Sequence, residues 1–128
     1  MARQKVTAIR RKVLNMLLAA SRDNQSSTGE FICALRARDG IIEEFLLIPG
    51  TISSEGYAIF NLHNLPIDLS IVGTAHSHPP GSEPRPSEQD MKQFSQFGQI
   101  QIIIGHPYTM DSWRAYSRAG EEISLNVI

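Results

Sequence analysis

Two histidines separated by one residue, His76 and His78, end a β-rich stretch of the sequence. Alternate side chains of a strand face the same way, so both imidazoles can reach one point. Ser87 and Asp90 are three residues apart at the start of a predicted helix, where their side chains share a face. A catalytic zinc takes three such protein ligands, here two imidazoles and one carboxylate, and leaves its fourth position to water. The pattern therefore predicts a hydrolytic zinc site with His76, His78 and Asp90 as ligands.

Each part of this pattern also has an ordinary structural explanation. A single histidine at a strand end is usually hydrogen-bonded or exposed, and the sequence SEQD at 87–90 forms a capping box with Ser87 as N-cap. For Ser87 alone the cap is the better interpretation. The combination of His-x-His, a proline-rich loop and Ser-x-x-Asp at a helix start favours the metal site. His63 and His106 lack a paired ligand, so we expect them to be structural or solvent-facing.

The sequence has no linker or internal repeat between the helices and strands that could position these residues. It therefore predicts a single α+β domain over residues 1–128. The first helix is predicted to bury Val6, Ile9, Val13, Met16, Leu17 and Ala20. The other predicted elements are strands over 31–35 and 41–48 joined by a turn at 39–40, a short strand or turn over 57–60, a β-rich stretch over 69–78, a helix over 88–97, a buried strand over 100–105, and strands over 112–117 and 121–128 joined at 118–120.

Composition excludes several classes of protein. A chain of 128 residues with 41% hydrophobic and 20% charged residues has the usage of one globular domain. Its formal charge of −1 gives no indication of a nucleic-acid or membrane partner. Arg10, Arg11 and Lys12 precede an apolar run as in a secretory signal, but Asn15 interrupts that run and favours a packed helix. The lone cysteine, Cys33, fits a reducing compartment, so we expect a cytoplasmic protein.

Beyond the spacing of ligands, the sequence resembles the JAMM, or MPN-plus, zinc metalloproteases. The resemblance lies in HSHP at 76–79 and SEQD at 87–90, and it extends to GEFI at 29–32, NLPI at 64–67, VGTA at 72–75, residues 94–98, and the dipeptides at 107–108 and 112–113. The resemblance therefore covers nearly the whole chain, and the sequence is most similar to the minimal stand-alone archaeal members of the family. It implies a cytidine-deaminase-like MPN domain, in which a central mixed β-sheet is flanked by helices.

This resemblance also implies a role for each motif residue. His76, His78 and Asp90 would bind one zinc ion per chain, with water completing the tetrahedron. Glu30 would contact that water as general base and pass the proton to the leaving amine. Ser87 would hydrogen-bond the oxyanion. Amide hydrolysis requires these functions, namely an activated water, a proton shuttle and an oxyanion donor.

Two details of the sequence leave alternatives open. Without the resemblance, Glu30 has rivals for the role of base in Glu43, Glu44 and Glu55. The loop between the second histidine and the serine, 79–86, has eight residues, one more than is usual in the family. An insertion in an exposed loop costs little closure entropy, so we expect the site to survive with a shifted loop beside the substrate cleft.

Three functions are compatible with these residues. The leading hypothesis is a zinc-dependent isopeptidase that cleaves the amide between the C-terminus of a ubiquitin-like protein modifier and a lysine, or another C-terminal extension. The alternatives are a catalytically silent MPN scaffold that binds a ubiquitin-like partner, and a zinc hydrolase acting on a small amide or peptide. The chain has no room for the long insertions that polyubiquitin-specific members use. A surface helix or an edge strand is a candidate for homodimerisation.

Overall fold

One helix and a mixed β-sheet make up most of the chain that the computed structural model describes, namely residues 5–23, 31–47, 52–54, 57–59, 70–78 and 98–128. The elements are β1 (Ala8–Ile9), α1 (Arg11–Asp23), β2 (Ile32–Arg38), β3 (Ile41–Leu47), β4 (Ile52–Ser54), β5 (Tyr57–Ile59), β6 (Ile71–Ser77), β7 (Ile100–Ile104), β8 (Trp113–Ser117), β9 (Glu122–Ile123) and β10 (Asn126–Val127). The main sheet has the order β10-β1-β3-β2-β6-β7-β8-β9, and β4 pairs with β5 separately. The predicted α+β class is confirmed.

Strands β2 and β3 form the predicted hairpin. Asp39 and Gly40 have φ values of 54° and 79°, the two consecutive positive values that a type I′ turn requires. β2 then pairs antiparallel with β6, and β6 pairs parallel with β7. These pairings place β6 inside the sheet, where both of its neighbours hold it.

Helix α1 covers one face of the sheet. Its buried apolar residues, Val13, Leu14, Leu17 and Leu18, join a core cluster with residues of β2, β6 and β7. The predicted apolar face is partly wrong, because Met16 is 49% exposed and faces away from this cluster. α1 has 13 residues, and no helix in the described ranges is long and apolar enough to cross a membrane. The helix predicted over 88–97 lies outside the described residues.

The segment before α1 is extended, which corrects the predicted start of the first helix. Val6 and Ile9 are buried as predicted, but α1 begins only at Arg11. Ala8 and Ile9 form β1, which pairs in parallel with both β3 and β10. Apolar residues three apart fit either one helical face or a short strand covered on both sides, so spacing alone favoured the wrong element.

The last eight residues correct a second prediction, since they form two strands on opposite edges of the sheet. β9 pairs with β8, whereas β10 pairs with β1. Only Ser124 and Leu125 separate Ile123 from Asn126, and this length of chain spans at most about 11 Å. The two edges of the sheet are therefore close together, and the sheet curls toward a barrel.

Cys33 lies on the core face of β2 and is completely buried. Burial raises the pKa of its thiol far above the ordinary value near 9.0. Above that pH the unfolded chain loses the thiol proton while the folded protein keeps it, so the free energy of unfolding should fall. The expected slope from this group is about 1.4 kcal/mol per pH unit. Urea unfolding between pH 8 and 11 should show a smaller decline for Cys33→Ala, and identical slopes would contradict this account.

Candidate metal centre

One end of the sheet brings together the strand ends that surround the two histidines. β6 and β7 are parallel, and β2 and β8 run antiparallel to them. The C-terminal ends of β6 and β7 therefore meet the N-terminal ends of β2 and β8. We call this the histidine end of the sheet; it contains Phe31, the segment 76–78, Ile104 and Trp113.

Backbone hydrogen bonds hold the histidine segment on both sides. His76 pairs in register with Ile32 of β2 and Ile103 of β7. The N–H of Ser77 donates to the Phe31 carbonyl at 2.9 Å, and the N–H of His78 donates to the Ile104 carbonyl at 2.8 Å. The backbone that carries both imidazoles is thus fixed before any metal binds, which lowers the entropy cost of assembling a site.

The two imidazoles lie side by side, as the period-2 argument predicts. His76 is 1% and His78 8% exposed, and their ring centroids are 5.2 Å apart. Two imidazoles bound to one tetrahedral zinc at Zn–N distances of about 2.0–2.1 Å have ring centroids about 5 Å apart. The centroid separation of the pair is therefore the one expected for two imidazoles that share a zinc ion.

The two faces of β6 differ in chemistry. His76 shares its face with the buried side chains of Thr74 and Gln101, whose side chains hydrogen-bond to each other. Cys33 pairs with Ala75 and belongs to the opposite, apolar face that α1 covers. A thiol of raised pKa inside the core is unsuited to nucleophilic or metal chemistry. The prediction that Cys33 is a core residue is confirmed.

The remaining predicted site residues, Glu30, Ser87 and Asp90, lie outside the described residues. Within the described ranges no three His, Cys, Asp or Glu side chains form a group that could hold a metal. The structure thus places the two histidines of the predicted set together, and the other three assignments stay predictions. His106 is exposed, as predicted, with its ring 5.6 Å from that of Tyr108; His63 lies outside the described residues.

Ser77 has a structural role that the sequence prediction did not assign. Its Oγ accepts a hydrogen bond from the N–H of Phe31 at 2.9 Å, and the side chain is almost fully buried. The one feature of the sequence that could have indicated a role for Ser77 is its position between the two histidines. That place shows no partner, because the partner, Phe31, lies just before β2, more than forty residues earlier in the chain.

Residues 20–116 match the family described as prokaryotic homologs of the JAB domain. The chain belongs to this JAB family. A JAB1/MPN domain protein from Archaeoglobus fulgidus is 34% identical, with a TM-score of 0.75 over 95% of this chain and 99% of that protein. This agreement along almost the whole of both chains confirms the predicted MPN fold.

Two further solved structures are similar to the JAB domain described here. One, described as "JAMM: A Metalloprotease-like Zinc Site in the Proteasome and Signalosome", is 31% identical with a TM-score of 0.74, over 97% of this chain and 99% of that one. A protein from Desulfitobacterium hafniense has a TM-score of 0.65 over 96% of this chain and 93% of its own. At 18% identity, this last likeness concerns the fold alone.

A curated relative comes from Haloferax volcanii and is named "Probable metalloprotease". It is 41% identical over 92 residues, which are 71% of this chain. The match spans 56% of the relative's own length. The two sequences therefore share most of this domain, and the relative has further sequence outside the match.

Proposed function

We propose that this protein is a zinc metallohydrolase whose metal ion is held by His76, His78 and Asp90. The observation that carries the proposal is the pair of buried imidazoles 5.2 Å apart at the end of β6, in a chain of the JAB family. The metalloprotease name of the Haloferax volcanii relative and the zinc site described for the JAMM structure support the same chemistry. Asp90 comes from the sequence motif and supplies the anionic third ligand.

In the proposed reaction, this chain's side chains move one proton and stabilise one charge. When bound, zinc supplies a Lewis acid that polarises the scissile carbonyl and acidifies the attacking water. Glu30 takes the proton of that water as its oxygen attacks the carbonyl carbon. Ser87 donates its O–H to the oxyanion that forms. Glu30 then delivers the proton to the leaving nitrogen as the C–N bond breaks, which regenerates the carboxylate for the next turnover.

For the substrate we propose a ubiquitin-like protein modifier joined through its C-terminus to a lysine or another extension. The extended tail of such a modifier can pair with exposed strand backbone while its diglycine passes a narrow cleft. The balanced charge of this chain, −1, suits a protein substrate better than a nucleic acid. The reaction would take place in the cytoplasm, where the lone thiol of Cys33 stays reduced.

The test is hydrolysis by zinc-loaded protein of a ubiquitin-like conjugate and of short peptides with the same junction. We expect the conjugate to react at least about tenfold faster in kcat/KM, because only it offers binding energy remote from the scissile bond. Equal rates on both substrates would favour a small-amide hydrolase. Absence of zinc binding and of all hydrolysis would favour a silent scaffold and contradict the proposal.

Metal removal gives a second expected result, with a matched pair of histidine variants. A chelator should abolish hydrolysis, and added zinc should restore it in the parent. His78→Ala should weaken zinc binding by at least about 100-fold, since a direct ligand matters more than its supporting hydrogen bonds. His106→Ala, which removes an exposed histidine, should bind zinc like the parent. Competition against a chromophoric chelator measures both affinities, and equal affinity of His78→Ala and the parent would contradict the ligand assignment.

A further inference from the structure

We infer that Ser112 is a positioning residue for the metal ligand His78, and that it acts through the backbone of the loop that joins β7 to β8. This loop, residues 105–112, leaves the sheet after Ile104 and returns to it at Trp113, both at the histidine end. The inference rests on the proposed function, in which His78 binds zinc. Ser112 touches neither the metal nor the reacting atoms in this account.

His78 provides the last backbone hydrogen-bond donor before two prolines. It follows the final residue of β6, and its N–H donates to the Ile104 carbonyl at 2.8 Å. The next two residues, Pro79 and Pro80, have no N–H to donate. The backbone of the second imidazole is therefore held, at the point where the prolines begin, by the carbonyl at the end of β7.

The Ile104 carbonyl is in turn fixed by the loop. It shares a planar peptide unit with the N–H of Gly105, which donates to the Ser112 carbonyl at 2.7 Å. One rigid plane thus accepts the His78 N–H on one side and donates to Ser112 on the other. A rotation of this plane disturbs both bonds together. Ser112 and His78 are therefore coupled through two hydrogen bonds and the peptide unit between them.

The side chain of Ser112 fixes the turn that carries its own carbonyl. This side chain is buried, and its Oγ accepts the N–H of Thr109 at 3.0 Å and lies 2.9 Å from Thr109 Oγ1. The N–H of Ser112 donates to the Thr109 carbonyl at 2.9 Å. Because these contacts close the turn over residues 109–112, loss of the hydroxyl should release the carbonyl that holds the Gly105 N–H.

Tyr108 holds the same loop in a strained backbone conformation. Its φ of 62° lies in the left-handed region, which is unfavourable for a residue other than glycine. The ring is buried in the core cluster, and the N–H donates to the Gly105 carbonyl at 2.9 Å. Arg22 of α1 donates to the Tyr108 carbonyl at 3.3 Å. Such strain persists only where surrounding contacts impose it, and it occurs most often at functional sites.

The experiment compares Ser112→Thr with Ser112→Val in the full chain. The two side chains have nearly the same shape, and only threonine keeps the hydroxyl. Ser112→Val should bind zinc roughly 10- to 100-fold more weakly than Ser112→Thr, the effect typical of residues that orient a metal ligand. Without metal, hydrogen exchange at the His78 amide should be faster in Ser112→Val than in Ser112→Thr.

Cobalt(II) substitution separates positioning from a general loss of stability, because the visible absorption of the bound ion reports the geometry of its ligands. The cobalt spectrum should change in Ser112→Val and match the parent's in Ser112→Thr. Ser117→Val is the matched control, since Ser117 Oγ also accepts a backbone N–H, that of Glu121, but in a turn at the opposite end of β8. Its zinc affinity and cobalt spectrum should equal the parent's.

The outcomes distinguish this inference from the proposed function. Equal zinc affinity and equal cobalt spectra in the threonine and valine variants would overturn the positioning role and leave the metallohydrolase intact. Equal exchange at the His78 amide would contradict the coupling through the loop. If either variant does not fold, Ser112→Ala is compared with the parent in the same measurements. A parent that binds no zinc would overturn the proposed function and, with it, this role of Ser112.

Discussion

Glu30→Gln should lower kcat by about 10³-fold while the protein keeps one zinc ion per chain. Glutamine has nearly the shape of glutamate, but its amide cannot accept and return a proton. The proposed ligands His76, His78 and Asp90 are unchanged, so metal binding should persist. Steady-state kinetics on a conjugate, with elemental analysis of the same sample, measures both quantities.

Two of the three rival glutamates supply the controls for that result, and the third, Glu55, lies outside the described residues. Glu43 forms an ion pair with Arg10, and Glu44 forms one with Arg36, both at the exposed surface. Carboxylates engaged there are poor candidates for a base at the histidine end of the sheet. Glu43→Gln and Glu44→Gln should therefore retain the parent's kcat. If Glu30→Gln is as active as the parent, or one of these controls is inactive, the assignment of the base is wrong.

Gly73→Ala should lower the free energy of unfolding by more than about 3 kcal/mol. A Cβ built on Gly73 would lie 1.7 Å from the carbonyl oxygen of Ile100, in the paired strand β7. The obstacle is backbone, and relieving the clash requires separation of β6 from β7. Glycine within a strand commonly marks such a close approach of two backbones.

Urea unfolding of Gly73→Ala at neutral pH measures this loss of stability. Ala19→Ser, which also adds one heavy atom but on the exposed side of α1, should change the free energy of unfolding by less than about 0.5 kcal/mol. A loss of under about 1 kcal/mol for Gly73→Ala would show that β6 and β7 separate easily. The histidine segment, three residues further along β6, would then be held less firmly than described.

The elements that could be predicted from the sequence are those whose structure is determined by residues close together in the chain. The turn at Asp39 and Gly40 was predictable because few residue pairs adopt two consecutive positive φ values. β7 was predictable because Ile100–Ile104 is an unbroken, largely apolar run, and all five of its residues are buried. In both cases the determining interactions lie within a few residues of one another.

The errors occur where partners distant in the sequence decide the structure. β1 has only two residues, too few for any periodicity, and it exists because β3 and β10 pair with it on either side. The predicted final strand splits because its first part pairs with β8 and its last part with β1. Alternation of apolar residues predicted extended chain correctly, but it contains no information about the pairing partner.

The candidate site likewise has features that could be predicted from the sequence and features that could not. The two-residue spacing of His76 and His78 at a strand end was enough to predict that their rings lie side by side. The structural role of Ser77 could not be predicted, because it depends on a hydrogen bond to Phe31, which lies just before β2 and far from Ser77 in the sequence. The choice of Glu30 over its rivals came from the family resemblance. The ion pairs of Glu43 and Glu44 count against those two rivals, whereas Glu30 and the third rival, Glu55, lie outside the described residues.

Anomalous diffraction at the zinc absorption edge, from crystals of zinc-loaded protein, locates the metal directly. We expect one zinc ion per chain, about 2.0–2.1 Å from one imidazole nitrogen each of His76 and His78 and about 2.0–2.2 Å from an oxygen of Asp90. The fourth position should be open to water. A chain that takes up no zinc, or that binds it away from both histidines, would contradict the account.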